Sequence, residues 1–347
     1  MPDFLRWLLN AAKPGKALPP GEFLWSPAKH FLFRRCPRAW FFRHYQAQGG
    51  WNELSADPAM HAYLLKYLVT ADSWMGRTTE KALSGALQDI MQIYGEDRVG
   101  SLAKAFKIRT TSLLMQAEAD LADRDLTDPK RTVFLELYYD TGEFRSASGL
   151  TASIRDRFRQ FFHAWEASEL PQELASTDAL SWRLPPEYRI FPFAGVQISL
   201  RPWLYSVERR TVRAWSFHFA FSGSELANVY PDAENEEYNL PERVFASWCT
   251  RKYPDFEIKI RKIIFTPGGL IDRTDVPAPV SEDFVVRSAG EMIQTVNHPG
   301  GLKAEVFPRL DESGGECARC RFRELCFRTG VPPEQEKSPE KGDGRNA

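Results

Sequence analysis

Apolar positions recur at helical spacing through much of the first half of the chain and give way to strand-like runs in the centre. Residues 26–46 read as a helix able to bury Phe31, Trp40, Phe41 and Tyr45. Segments 58–70 and 73–95 read as two further helices, and 97–123 as a long one. Leu150, Ile154, Phe158, Phe161, Phe162 and Trp165 repeat at the interval of a strongly amphipathic helix. Residues 132–139 (TVFLELYY) are strand-like, as are 187–193, 196–206 and 210–221, rich in Val, Ile, Phe, Tyr and Trp. A helix near 241–252 follows. A strand at 256–266 then stops at Pro267-Gly268-Gly269, a turn signal, and a last helix covers about 281–296.

The helix–strand–strand–strand–helix–strand order predicts an α/β fold, a mixed central sheet flanked by helices. One domain is expected over 23–330, with a helical part at about 23–175, a sheet core at about 183–270, and a C-terminal helix and cysteine cluster at about 281–328. Residues 1–22 read as an arm, because 11–22 (AAKPGKALPPGE) is rich in Pro, Gly and Ala. Residues 331–347 are polar and have the composition of a disordered tail.

Composition narrows the function classes. With 347 residues, 43% hydrophobic and 13% aromatic, the chain is long and apolar enough to bury a large core. Its net charge is −1, so any case for nucleic acid rests on local clusters. No run approaches the ~18 apolar residues of a membrane span. Met1–Leu9 lacks the basic start, longer apolar run and cleavage site of a signal peptide. A cytoplasmic location is the expectation. The five cysteines are too few and too unevenly spaced for a disulfide scaffold.

Three of those cysteines stand together. Cys317-Ala318-Arg319-Cys320 is followed by Cys326, after Gly314 and Gly315. Three thiolates at that spacing can converge on one metal centre. Cys36, in Arg34-Arg35-Cys36-Pro37-Arg38, is the candidate fourth ligand. Four thiolates suit zinc or an iron–sulfur cluster. Cys249, alone in an apolar helix, reads as core.

Trp25-Ser26-Pro27, Phe31 and Cys36-Pro37-Arg38-Ala39-Trp40-Phe41-Phe42 resemble the opening of RecB-like PD-(D/E)XK nucleases with an iron–sulfur staple. Helicase–nuclease subunits and the nucleases of CRISPR adaptation belong to this group. One cysteine lies near the N-terminus there and three near the C-terminus, as here. Tyr63-Leu64-Leu65-Lys66, Trp74-Met75-Gly76-Arg77 and Leu83 resemble the family's Gly-x-x-x-His helix. Phe245-Ala246-Ser247-Trp248 resembles the end of its Gln-x-x-x-Tyr helix, and Ile263–Gly269 the strand and turn after it. The similarity spans about residues 24–328. It implies a PD-(D/E)XK fold, a 4Fe–4S cluster on Cys36, Cys317, Cys320 and Cys326 (zinc being the alternative), and DNA as partner in repair, recombination or defence. A helicase or an active nuclease subunit is a further implied partner.

Cleavage in this family needs two carboxylates on a divalent metal and a lysine beside them. The acid and lysine sit two residues apart on one strand, and so on one face. Carried over residue by residue, the His position falls at Glu80 and the first Asp at Trp203. Asp-x-Lys falls at Ser216-Phe217-His218, and Gln and Tyr at Pro241 and Phe245. Residues 209–224 contain no Asp, Glu or Lys, so the loss does not depend on register. The resemblance therefore implies a degenerate nuclease. A literal acid-x-Lys does occur at Glu257-Ile258-Lys259, after the helix that should follow the active site. It carries the alternative of an active exonuclease or endonuclease using Mg or Mn. A structural partner subunit without DNA binding is the third reading. His218 among aromatics reads as a packed residue; no Ser–His–acid arrangement is legible.

Basic residues cluster at both ends of the cysteine frame. Lys29, Arg34, Arg35, Arg38 and Arg43 are interleaved with Phe31, Phe33, Trp40, Phe41 and Phe42, and Arg319, Arg321, Arg323 and Arg328 surround the last cysteines. Arg34, Arg35, Arg38, Arg43, Arg319, Arg321 and Arg323 are the candidate phosphate contacts.

Overall fold

The computed structural model describes residues 23–51, 57–91, 97–121, 131–139, 146–184, 189–221, 237, 239–309, 317 and 320–328. The expected arm, the expected tail and Arg319 lie outside the described residues. In chain order the elements are β1 (Leu24–Trp25), α1 (Pro27–Arg35), α2 (Pro37–Phe41), a π-helical turn (Phe42–Gln46), α3 (Asp57–Leu65), α4 (Ala71–Ile90) and α5 (Arg98–Leu121). Then come α6 (Leu135–Tyr138), α7 (Ala147–Glu166), α8 (Leu170–Ser176), β2 (Trp182–Arg183), β3 (Arg189–Phe193), β4 (Val196–Leu200), β5 (Leu204–Glu208) and β6 (Thr211–Phe219). The chain closes with α9 (Leu240–Lys252), β7 (Glu257–Thr266), β8 (Gly269–Asp275), α10 (Glu282–Val296) and α11 (Arg323–Arg328).

Among the described residues the strands form two mixed sheets flanked by helices. The larger has the order β2-β5-β6-β7-β8, the smaller β1-β4-β3. β5 and β6 form an antiparallel hairpin. α9 then crosses over so that β7 runs parallel to β6, as a β-helix-β unit requires. Beyond their first few residues, both central strands are covered on both faces. Val212, Ala214, Ile258 and Ile260 face one core, with α9, α10 and the small sheet. Trp215, Phe217, Phe219, Ile263 and Phe265 face the other, with α4, α5, α7 and α8. That is why these strands read as nearly continuous apolar runs.

Local chemistry sets the helix starts. Ser146 Oγ accepts from Gly149 N at 3.1 Å and opens α7, and Ser281 Oγ accepts from Phe284 N at 3.1 Å and opens α10. Ser288 of α10 ties down the N-terminal segment. It accepts from Trp25 Nε1 at 2.9 Å and lies 2.7 Å from His30 Nδ1, while His30 Nε2 lies 3.1 Å from Glu237. A Ser288 hydroxyl that accepts from Trp25 and donates to Nδ1 leaves Nε2–H to donate to Glu237, so the donor and acceptor roles are consistent.

Several expectations are corrected. Residues 132–139 do not form a strand: Phe134 makes a single parallel bridge to Val69, and the chain turns into α6. Glu136 of α6 accepts from Ala71 N at 2.8 Å at the start of α4; the segment's apolar residues serve burial. The helix expected at 26–46 breaks at Cys36, whose backbone is extended because Pro37 disfavours the helical region before it. The strand expected at 196–206 divides at Arg201-Pro202-Trp203, where Pro202 has no N–H to pair; β4 and β5 join different sheets. The sheet core therefore comprises two sheets and runs on through β8. Elements α8, α11, β1, β2 and β8 had no sequence expectation. No helix among the described residues is long and apolar enough to cross a membrane.

Phe161 packs α7 onto the large sheet, with ring centroids 5.2 Å from Phe219 and 5.6 Å from Phe265. Phe161→Ala should cost about 3–5 kcal/mol in urea denaturation, and Phe162→Ala, at a partly exposed position, clearly less.

Candidate functional site

The cysteine positions follow from the docking of the two chain ends. Cys36 Sγ accepts from Ala39 N at 3.4 Å and caps α2. Two residues on, Arg38 is buried and donates from Nε to Phe307 O at 2.9 Å; its backbone N donates to Pro308 O at 3.3 Å. The C-terminal segment is held in turn. Cys320 N donates to Cys317 O at 3.2 Å, and Cys326 N to Phe322 O at 2.9 Å. Phe322 is buried against Phe42, with centroids 5.9 Å apart. Tyr139 Oη donates to Arg321 O at 2.7 Å, and Arg321 Nη1 to Lys66 O at 2.9 Å.

All five cysteines are reduced, and Cys36, Cys317, Cys320 and Cys326 are each half-buried. Burial pushes the Cys320 thiol up to about 11, and the neighbouring thiols of Cys36, Cys326 and Cys317 add to the shift. Burial also raises Cys326, opposed by the Arg38 guanidinium beside it, which hydrogen-bonds the sulfur. The four sulfurs thus share one electrostatic neighbourhood. Among the described residues, no three or more Cys, His, Asp or Glu side chains already stand as a closed metal-ligand set. The thiols are gathered but not drawn together. Four soft donors with a guanidinium at hand fit a thiophilic metal or cluster chemically. Cys249 is buried in the core, as expected.

A second constellation lies on one face of the large sheet. Even-numbered residues of β6 and β7 face α9. Ser216, His218 and Lys262 lie on that face, with Ser216 directly opposite Lys262. Trp203, just before β5, and Phe245, on α9, complete it, with rings 5.4 Å apart. The positions mapped to Asp, Asp-x-Lys and Tyr therefore converge. They carry an indole, a hydroxyl, an imidazole and a phenyl ring. The Ser216 hydroxyl and His218 Nε2 are buried with no hydrogen-bond partner among the described residues. Burial, and then the charge of Lys262, push the His218 imidazole down to about 4.

Lys262 and its partners were not among the sequence candidates. Its Nζ lies 2.7 Å from Glu242 Oε1, in the first turn of α9, and 2.5 Å from Asn239 Oδ1; Asp275 is at 3.9 Å. Lys262 and Glu242 side chains are only 8% and 5% exposed. Asp275 also accepts from Arg273 Nε at 2.9 Å. The carboxylates nearest this face are thus already engaged by cations. The available signal was a lysine inside an apolar run on a strand buried on both sides, a position that demands a partner.

Other candidates sit elsewhere. Glu80 is on α4, whose apolar residues pack in the core that holds Trp215, Phe217 and Phe219. Burial raises its carboxyl, and Arg201, two residues before Trp203, lowers it. Glu257 and Lys259 pair with each other at 2.8 Å on a solvent-facing stretch of β7. Their strand neighbours are Thr211 and Arg213, at the far end of β6 from His218 and on the opposite face. Among the arginines, Arg38 is buried and holds Phe307. Arg34 is exposed and lies 3.5 Å from Glu237. Arg35 and Arg323 are exposed, whereas Arg43 and Arg321 are half-buried.

No family model matches this chain, and no curated protein does. Among solved structures, the crystal structure of SSO0001 aligns over 74% of this chain and 100% of its own, at 13% identity and a TM-score of 0.30. That score is too low to carry an argument about fold or function.

The Lys262–Glu242 pair yields a direct test. Lys262→Met should destabilise by about 3–5 kcal/mol, because it strands a buried carboxylate. Lys262→Met/Glu242→Leu should recover most of the loss in urea denaturation. His218 gives a pH dependence. Its folded imidazole stays neutral where the unfolded chain protonates, so the unfolded state binds more protons below about pH 6.5. Thermal stability should fall as pH drops from about 7 towards 4, and His218→Gln should flatten that fall. His44, also lowered by burial and neighbouring cations, keeps part of the slope.

Proposed function

We propose that this chain is a PD-(D/E)XK nuclease-like protein of the RecB-like kind, stapled by an iron–sulfur cluster, that binds DNA without cutting it. It acts in repair, recombination or defence beside a helicase or an active nuclease, in a cytoplasmic setting where thiols stay reduced. One observation carries this reading. The positions mapped to the family's acids, lysine and tyrosine meet on a single sheet face, and that face is filled by Trp203, Ser216, His218 and Phe245. Their convergence supports the mapping. Their side chains support the loss of cleavage, since a two-carboxylate metal site has nothing to form from there. The order antiparallel β5–β6, crossover α9, parallel β7 supports the PD-(D/E)XK assignment.

The cluster reading is supported by the shared neighbourhood of the Cys36, Cys317, Cys320 and Cys326 thiols. These residues would hold a 4Fe–4S cluster, or zinc, and the bound group would tie the two ends of the domain covalently. The active-nuclease alternative rests on Glu257 and Lys259. Their mutual ion pair, distant from the converged face, weighs against it.

Two measurements test the proposal. Anaerobically purified protein should contain iron and acid-labile sulfide, both lost in Cys317→Ser; a colourless protein holding one zinc would replace the cluster. With Mg or Mn, the protein should bind DNA at low salt and leave it intact. Metal-dependent digestion abolished by Glu257→Gln or Lys259→Met would overturn the degenerate reading.

A further inference from the structure

Several cations lie near the docked cysteine segment. Arg43 stands on the π-helical turn, Lys66 at the end of α3, Arg77 on α4, and Arg321 between Cys320 and Phe322. Four separate segments thus deliver one cation each. Arg321 is anchored by its bond to Lys66 O at 2.9 Å. Lys66 Nζ lies 4.0 Å from the centroid of Tyr63 and 5.1 Å from that of Tyr67, which holds the ammonium over aromatic faces. The cations act on one another. Burial and the charges of Arg43 and Arg77 bring Arg321 down to about 10, and burial with Arg43 brings Lys66 down to about 8. His44 feels Arg43, Lys66 and Lys29 in the same sense.

Aromatic surface adjoins this group. Tyr67 is 42% exposed and Trp51 58% exposed. Tyr63 links them, with centroids 5.2 Å from Tyr67 and 6.1 Å from Trp51. Glu324 lies nearby and pairs with His61 at 3.2 Å.

We propose that Arg43, Lys66, Arg77 and Arg321 form a phosphate seat for a single-stranded DNA segment whose bases stack on Tyr67 and Trp51. Hydrogen bonds from ionised donors to a phosphate are shorter and stronger than neutral ones. Phosphodiesters supply charge at the spacing of several cations, and open aromatic faces beside them take unpaired bases. Duplex bases are stacked away and cannot use those faces, so the seat selects single strands. The inference rests on the DNA-binding part of the reading above and moves the contact surface. Arg38 is excluded by its burial, and Lys66 and Arg77 enter.

The test is fluorescence anisotropy of the full chain with labelled oligothymidylate, about 20 nucleotides long, titrated across salt. Lys66→Glu/Arg77→Glu should weaken binding at least about ten-fold and make the salt slope shallower by about 1.4, roughly 0.7 per lost phosphate contact. Lys104→Glu/Lys107→Glu, the same charge change on exposed positions of α5, should stay within about two-fold of wild type. Trp51→Ala/Tyr67→Ala should weaken oligothymidylate at least about five-fold and leave an abasic strand unaffected. If a melt shows the glutamate variant unfolded, Lys66→Gln/Arg77→Gln replaces it. Equal losses in both double charge variants would overturn the seat, as would full binding by the Lys66/Arg77 variant; wild-type DNA binding would then still stand. A wild-type protein that binds no DNA at low salt overturns the seat and the DNA-binding reading together, while iron content reports separately on the cluster. Displacement of the labelled strand by polyglutamate as readily as by unlabelled DNA would assign the surface to an acidic protein instead.

Discussion

The parallel ladder between β6 and β7 is the constraint on which the rest of the structure depends. It runs from Thr211 opposite Glu257 to Phe219 opposite Phe265. A parallel pair needs a crossover connection, and α9 provides it. The ladder is covered on both sides, so one face of each strand packs on α4, α5, α7 and α8, and the other on α9, α10 and the small sheet. A slip of one residue would exchange those faces. The same register sets Ser216 beside Lys262 and turns His218 towards the α9 side.

That face illustrates how a buried polar position is resolved. Lys262 occupies a place where an unpaired ammonium would be very costly. Glu242 sits where the α9 dipole favours a negative charge, and Asn239 completes the coordination. Such a pair contributes little net stability over an apolar substitute, but losing one partner alone is expensive. It also commits the carboxylates near the face to a structural task. Trp203 and Phe245 fill the remaining space, so the face is packed more like a core than like an open site.

The two ends of the chain meet by a different logic. Their connection is made of backbone carbonyls capped by side chains: Arg38 on Phe307, Tyr139 on Arg321, Arg321 on Lys66. Phe42 against Phe322 supplies the apolar part. This docking gathers four thiols and four cations within one region. Burial disfavours the thiolate forms of Cys320 and Cys326.

Much of this was legible in the sequence. Helical spacing at Leu150, Ile154, Phe158, Phe161 and Trp165 gave α7, because an amphipathic stripe needs only local periodicity. The strands of the central sheet were legible as apolar runs for the same reason. The spacing of Cys317, Cys320 and Cys326, with Cys36 as the outlier, pointed to one sulfur-rich locus, and the absence of acids and lysine from 209–224 was a fact of composition. Tertiary structure alone decided the rest. TVFLELYY looked like a strand because β-propensity reports fitness for a half-buried surface, and a turn at α4 used that surface instead. The run at 196–206 was one apolar stretch, but Pro202 sends its halves to different sheets. The Lys262–Glu242 pair and the meeting of Arg43, Lys66, Arg77 and Arg321 join residues far apart in the chain. Local pattern carries no term for such distances; they are set by which faces the packed sheet and the docked ends bring together.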